Sequence, residues 1–216
     1  MIAHEPPLVI SYGNGLSAAL EPGQPLGLST VAWDFPERPD LIALAERQAR
    51  LDFLRDHLKS FCGLWDKLPR LFLDAYFRDI AEGIRRNRPS LEILASVHGG
   101  LFALEDWSFA ALCPLPQARW PAAQDAPIDF AFWTGRELHA AFVTSATSLN
   151  RAQRAARAGL RERGAIVTEL PGTELECAAP GYLIARLPAV LGEFWKDVPL
   201  PSSPLRIGSL DEILPA

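Results

Sequence analysis

The chain has 216 residues, of which 49% are hydrophobic and 22% are charged. This composition predicts a folded domain with an ample core and excludes an intrinsically disordered chain. The net charge of −5 argues against a protein that coats nucleic acid non-specifically, although it permits a local basic surface.

Cysteine and histidine usage does not indicate a structural metal site. The three cysteines and four histidines form no CxxC or HxxxH pair, so we expect neither a zinc site nor a disulfide framework. The N-terminal sequence lacks a basic segment followed by an apolar one, and no apolar run is long enough to cross a bilayer. We therefore expect a cytoplasmic protein that does not associate with membranes.

Residues 1–88 predict an N-terminal β-hairpin followed by two helices. The runs PLVISY and LGLSTVAW have strand character, and GNG between them is typical of a turn. A first helix is predicted over PDLIALAERQARLDFLRDHLKSFCGLW, with Asp40 as its N-cap. A second helix is predicted over PRLFLDAYFRDIAEGIRRN, and Asn87–Pro89 is its expected end.

Residues 89–216 predict an α/β core and a proline-rich tail. LFALEDW is compatible with a helical turn, and three apolar runs then predict strands: FAALCPLP, IDFAFW and LHAAFVTS. TGRE predicts a tight hairpin turn. The basic run SLNRAQRAARAGLRERG predicts a helix that ends at Gly164, GAIVTEL predicts a further strand, and GYLIARLPAVLGEFW predicts a last helical stretch. The fold class is therefore α/β (α+β), with a mixed central sheet and flanking helices.

Asp129 lies near the start of the second of these strands, directly after Pro127 and Ile128. The order of three strands, a helix and a strand, with an aspartate at this place, resembles the core of the PD-(D/E)XK (restriction-endonuclease-like) nuclease superfamily over roughly residues 105–170. The resemblance implies a restriction-endonuclease-like core in the C-terminal half. It also implies a Mg²⁺ site at which this aspartate and a Glu-x-Lys on the next strand support phosphodiester hydrolysis.

The Glu-x-Lys element is missing from this chain. Its expected place, residues 141–145, reads AFVTS. The resemblance thus points to a degenerate member. If the chain is active, Asp129 is the expected Mg²⁺ ligand, with Glu105 or Glu137 as a second carboxylate. Three roles remain open for Asp129: a structural acceptor, the remnant of a site, or a working ligand. His139 is a candidate general base, with hydrogen-bonded packing as its alternative.

The predicted basic helix is a candidate nucleic-acid surface. Arg151, Arg154 and Arg161 fall on a common side and could follow phosphates, and Arg119 in the loop between the first two strands could extend that surface. The alternative is an ordinary solvated face. The small residues of this helix form a stripe suited to packing on a sheet: Ala152, Ala155, Ala156, Gly159 and Leu160.

Two functions follow as hypotheses. The first is a degenerate PD-(D/E)XK-like protein associated with DNA or RNA, with Mg²⁺ as cofactor only if it is catalytic. The second is a non-catalytic scaffold for protein–protein interaction. The tail LGEFWKDVPLPSSPLRIG could bind a protein partner in an extended conformation, or could wrap around the domain.

Overall fold

A computed structural model describes residues 8–13, 15–29, 47–63, 66–98, 102–120, 127–145 and 149–192. The tail from residue 193 onward and Asp40 lie outside the described residues, so their predicted roles stay predictions. Within the described part, the main hydrophobic core joins Ile10 and Phe72 to Phe130 and Leu191. Helices flank a four-stranded mixed sheet, so the predicted α/β class is confirmed.

The N-terminal hairpin consists of β1 (Leu8–Tyr12) and β2 (Leu16–Leu20), which pair antiparallel from Leu8–Leu20 to Tyr12–Leu16. Gly13 and Gly15 in the turn both have positive φ, which glycine adopts without steric cost. The predicted turn is therefore confirmed. The strand that pairs with β1, however, follows the turn directly. Of LGLSTVAW the structure describes residues 26–29, which form no strand but include an isolated bridge from Gly27 to Leu112.

Two α-helices follow: α1 (Arg47–Ser60) and α2 (Lys67–Val97). The predicted end of α2 at Asn87–Pro89 is wrong, because the helix continues through Pro89 for two more turns. Pro89 removes a helical hydrogen bond and crowds the carbonyl of Arg85. Leu91, which is buried beyond the proline, holds the last turns against the core, and its packing outweighs the local preference.

A 3₁₀ helix (Leu104–Ala110) confirms the predicted helical turn, and the central sheet follows. Its strands are β3 (Leu115–Ala118), β4 (Ile128–Trp133), β5 (Leu138–Thr144) and β6 (Ile166–Pro171). The strands lie in chain order; β3, β4 and β5 are antiparallel, and β6 is parallel to β5. The strand predicted over FAALCPLP begins only at Leu115. The preceding run, FAALC, bonds to residues near Leu26 instead: the Leu28 N–H donates to the Ala111 carbonyl, and the Cys113 N–H donates to the Leu26 carbonyl.

Helices cover both faces of the sheet. On one face, α2 packs its aromatic rings on those of β4, with Phe72 stacked on Phe130 at 4.3 Å and Tyr76 beside Phe132 at 5.4 Å between centroids. On the other face lies α3 (Arg151–Glu162), the predicted basic helix. Gly164 follows it with φ +85°, as predicted for the left-handed residue that ends a helix.

The C-terminal part is attached to α2 by a buried carboxylate. It comprises α4 (Gly172–Glu176), α5 (Tyr182–Arg186) and a π-helical turn (Pro188–Gly192). Asp79 of α2 is fully buried and accepts the N–H groups of Gly181, Leu183 and Ile184 at 2.8, 2.6 and 3.3 Å. These donors are the free N–H groups at the start of α5, so Asp79 caps that helix across the fold.

None of the helices in the described part of the chain is both long enough and apolar enough to cross a membrane.

Candidate functional site

Asp129 terminates the pairing between β4 and β5. The registered pairs of these strands run from Trp133–Leu138 to Phe130–Ala141, although β5 continues to Thr144. Beyond the last pair, the Val143 N–H donates to Oδ2 of Asp129 at 2.7 Å. The carboxylate thus takes the place of a backbone carbonyl, so it prolongs the contact between the two strands where the ladder stops.

The environment of Asp129 favours its protonated form. The pKa of its carboxyl is raised from 3.8 to about 6, mainly by burial and to a smaller extent by the negative charge of Asp66, while the Val143 hydrogen bond and the Arg157 guanidinium oppose the rise. Desolvation disfavours an ionised carboxyl that has too few compensating partners. Asp129 therefore changes its charge near neutral pH, which is characteristic of functional carboxyl groups and also of strained structural ones.

Arg157 lies beside Asp129 on the α3 face of the sheet. Extending the β4–β5 register by one residue brings Phe142 opposite Asp129, and the Arg157 guanidinium lies 4.5 Å above the Phe142 ring. Nη1 of Arg157 is 3.4 Å from Oε2 of Glu169, but it is buried and makes no hydrogen bond. With only 4% of its surface exposed, Arg157 is part of the core-facing side of α3.

This packing corrects the predicted small-residue stripe. The buried residues of α3 are Arg157 and Leu160, whereas Ala152 and Ala155 are exposed to solvent. The aromatic ring of Phe142 and the carboxylate of Glu169 on the sheet offer a cation–π contact and an ion pair, and these favour arginine over alanine at the contact.

Several chain ends converge at the edge of the sheet where Asp129 lies. Val143 and Thr144 of β5 pair with Leu170 and Pro171 of β6, so both strands end there, and β4 begins there. The start of α2 is also close, because a Cβ on Gly172, after β6, would lie 2.7 Å from Leu68. We call this the Asp129 edge. The carboxyl ends of neighbouring parallel strands are a common location for binding sites in α/β proteins.

Three of the predicted arginines lie around the Asp129 edge. Arg119 follows Ala118, which is opposite Ile128 at the start of β4, and it is exposed. Arg151 and Arg154 are exposed in the first turn of α3, which follows the end of β5. Arg161 lies further along α3, where its Nη2 is 3.8 Å from Oε1 of Glu169.

Glu137 and His139 lie away from Asp129. Glu137 is in the β4–β5 turn, about 17 Å from Asp129 along the strands at the usual rise per residue. His139 is opposite Phe132, so it faces α2, while Asp129 faces α3. The structure therefore does not bring the three predicted catalytic residues together.

His139 has the environment of a packed side chain. It is buried, its Nε2 makes no hydrogen bond, and its nearest charged group is the Glu137 carboxylate at 3.8 Å. Burial lowers the pKa of its imidazole, and Glu137 opposes this only in part. His139 is thus neutral near pH 7 and lacks access to solvent from the Asp129 edge.

Glu105 belongs to a different surface. It lies in the 3₁₀ helix and lines a groove of about 440 Å³ between this helix, α1 and α2. The charge of Glu105 raises the pKa of Arg88 on α2. The charges that shift the pKa of Asp129 belong instead to Asp66 and Arg157. The predicted metal pair, Asp129 with Glu105, is therefore not assembled.

The predicted ligands do not fit Mg²⁺. This ion requires oxygen ligands grouped around one position. Asp129, Glu105 and Glu137 are dispersed, and no group of three or more His, Cys, Asp or Glu side chains in the described part of the chain is arranged to hold a metal ion.

Three charged residues of this edge were not predicted from the sequence: Asp66, Arg157 and Glu169. The position of Asp66 immediately before a helix that starts with KLP is a recognisable N-cap signal. No local pattern, however, indicates that it lies near Asp129.

Comparisons with protein-family models, curated proteins and solved structures found no match to this chain.

Proposed function

We propose that this chain is a nucleic-acid-associated protein that binds phosphate backbone at the Asp129 edge, on a sheet similar in element order to the PD-(D/E)XK core. The observation that carries this proposal is the placement of Arg119 and Arg151 at one edge of the sheet. They come from elements that are more than thirty residues apart in the chain, so no single amphipathic helix accounts for their presence at the same end of the sheet.

The availability of these side chains supports the proposal. Arg119 and Arg151 are exposed and make no ion pair within the described part of the chain, and the one hydrogen bond of the Arg154 side chain within that part goes to the Leu149 carbonyl. Arginines without a carboxylate partner are free to exchange water for phosphate oxygens. Arg161 contributes less, since Glu169 already neutralises part of its charge.

Hydrolysis is not part of the proposal. One oxygen of Asp129 is occupied by the Val143 N–H, β5 supplies neither a carboxylate nor a lysine, and the neighbouring cation is the buried Arg157. We infer that Asp129 and Arg157 have a structural role and stabilise the packing of β4, β5 and α3 at this edge. The exposed arginines would then bind the phosphate backbone of the nucleic acid without cleaving it.

Binding is tested with fluorescein-labelled single- and double-stranded DNA and RNA at increasing salt. A surface of about three phosphate contacts gives a slope near −2 to −3 in log K against log salt. Replacing Arg119, Arg151 and Arg154 together by alanine should abolish most of this slope. The matched control is Arg136→Ala, which removes an exposed arginine from the opposite end of the sheet.

Two outcomes would contradict the proposal. A loss of affinity in the Arg136→Ala control as large as that in Arg151→Ala alone would show that only net charge matters. Cleavage of the labelled nucleic acid in Mg²⁺ or Mn²⁺ that Asp129→Asn abolishes would show instead that the chain is a working nuclease with Asp129 in its active site.

A protein–protein scaffold is the second candidate function. It is favoured by Ile93 and Val97, which are 65% and 74% exposed and lie one turn apart on α2. Exposed apolar side chains in adjacent turns are typical of interaction surfaces. Loss of a captured partner on replacing both by serine, with nucleic-acid binding absent, would favour this candidate.

A further inference from the structure

The outer side of β6 is an open sheet edge. β6 pairs with β5 alone, and no hydrogen bond reaches its backbone from any other part of the chain that the structure describes. In a parallel pair, alternate residues direct both N–H and C=O away from the neighbouring strand. Half of the residues of Ile166–Pro171 therefore present unpaired backbone groups to solvent, which natural proteins usually cover or block.

The side chains beside this edge differ between the two faces. On the α3 face, Arg157 and Arg161 lie 3.4 and 3.8 Å from the carboxylate of Glu169, and the Arg161 side chain is 52% exposed. Over this face as a whole, five arginines outnumber the carboxylates of Glu162, Glu169 and Asp129, so the face carries an excess of positive charge: Arg151, Arg154, Arg157, Arg161 and Arg163. On the α2 face, Ile166 is 41% exposed, although most large apolar side chains of the sheet are buried. The edge is basic on one side and apolar on the other.

We propose that β6 accepts an extended peptide segment of a protein partner, in which acidic and apolar side chains alternate. The segment would add a strand to the sheet, with its backbone bonded to β6, its acidic side chains beside Arg161 and its apolar side chains over Ile166. Successive side chains of a strand point to opposite faces of the sheet, so an alternating peptide would place its acidic side chains on the α3 face and its apolar side chains on the α2 face. The inference does not rest on nucleic-acid binding, which involves the Asp129 edge.

A second copy of this chain is a poorer occupant of the same edge. Two-fold pairing of β6 with itself places each α3 beside the α3 of the other copy. Arg154 and Arg161 lie two turns apart on the same side of α3, so their like charges would face each other. An acidic segment meets no such repulsion.

The experiment uses the full chain and a fluorescein-labelled peptide of about eight residues in which glutamate and valine alternate, a common strand length. Fluorescence anisotropy is expected to show saturable binding, and a lysine–valine peptide should not bind. Two further peptides carry N-methyl groups, either on every glutamate or on every valine. Because only one side of an added strand faces β6, one of these peptides should lose binding and the other retain it. Equal effects of the two patterns would overturn the proposal.

Variants of the protein test the two faces separately. Arg161→Glu should lower the affinity for the glutamate–valine peptide by about tenfold, which is equivalent to about 1.4 kcal/mol. Ile166→Thr, which preserves strand propensity, should weaken it by about threefold. Arg136→Glu is the control at the far end of the sheet and should leave affinity unchanged. Circular dichroism establishes that each variant is folded. A dimer in sedimentation that is weakened by Ile166→Thr, strengthened by Arg161→Glu and indifferent to the peptide would assign the edge to a second copy and overturn the proposal.

Discussion

The Val143 N–H donates to Oδ2 of Asp129 at 2.7 Å, immediately beyond the last registered pair between β4 and β5. Because burial raises the pKa of this carboxyl in spite of the Val143 hydrogen bond, the stability of the sheet depends on its protonation. The contact also accounts for a carboxylate in an otherwise apolar strand, because its oxygen satisfies an N–H group that the neighbouring strand no longer bonds.

Asp129→Asn should remove a pH dependence of stability. The pKa of this carboxyl is 3.8 when unperturbed and about 6 in the folded chain, so the folded state binds the proton more tightly. Stability from this group is fully present below pH 4 and is lost as pH rises through 6, by about 2–3 kcal/mol.

The asparagine carbonyl still accepts the Val143 N–H and carries no charge. We therefore expect Asp129→Asn to be more stable than the parent at pH 7.5 and nearly equal to it at pH 4, by urea denaturation at a series of pH values. Asp56→Asn, at an exposed position of α1, is the control and should retain the parent's profile. A less stable Asp129→Asn at pH 7.5 would contradict the assigned role.

Arg157→Met should destabilise the fold by about 2 kcal/mol at pH 7.5, because it leaves Glu169 and ionised Asp129 without their buried cation. The loss should be smaller at pH 5, where Asp129 is protonated. A double-mutant cycle with Asp129→Asn should give a coupling of about 1 kcal/mol. Arg163→Met, at the exposed end of α3, should change stability by less than about 0.5 kcal/mol. Equal effects of the two arginine substitutions would contradict a special position for Arg157.

Asp79→Ala should destabilise the chain by about 3 kcal/mol, because the N–H groups of Gly181, Leu183 and Ile184 lose a buried acceptor. Asp79→Asn keeps one acceptor oxygen and should lose less. Limited proteolysis followed by mass spectrometry should locate new cleavage near α5. Unchanged denaturation midpoints in both variants would show that α5 does not depend on this cap.

Pro89→Ala should stabilise α2 by about 1–3 kcal/mol, since it restores a backbone donor for the Arg85 carbonyl and removes the ring from a helix interior. The larger conformational freedom of alanine in the unfolded chain reduces the gain. Thermal unfolding measures the difference, with Ser90→Ala as the neighbouring control. A lower midpoint in Pro89→Ala would mean that the proline is preferred in this helix.

The proline also shows where local prediction fails. Asn87–Arg88–Pro89 has the composition of a helix end, and nothing nearby in the sequence contradicts it. Helix continuation depends on Leu91, whose burial against the core is a tertiary property. The same applies to Arg157: nothing in the basic run distinguishes it from its exposed neighbours, and its burial depends on packing over the ring of Phe142 on the sheet.

The sequence by itself determined the order of elements in the second half, the β4–β5 hairpin, the mixed sheet and the end of α3 at Gly164. Periodicity, turn residues and helix signals act over a few residues and are therefore visible in the chain. Only the tertiary structure decided which charged residues meet. It set Asp129 beside Arg157 and near Asp66, turned His139 to the other face and placed Glu105 at a separate groove. Such encounters depend on register and packing between distant segments, which no local pattern specifies.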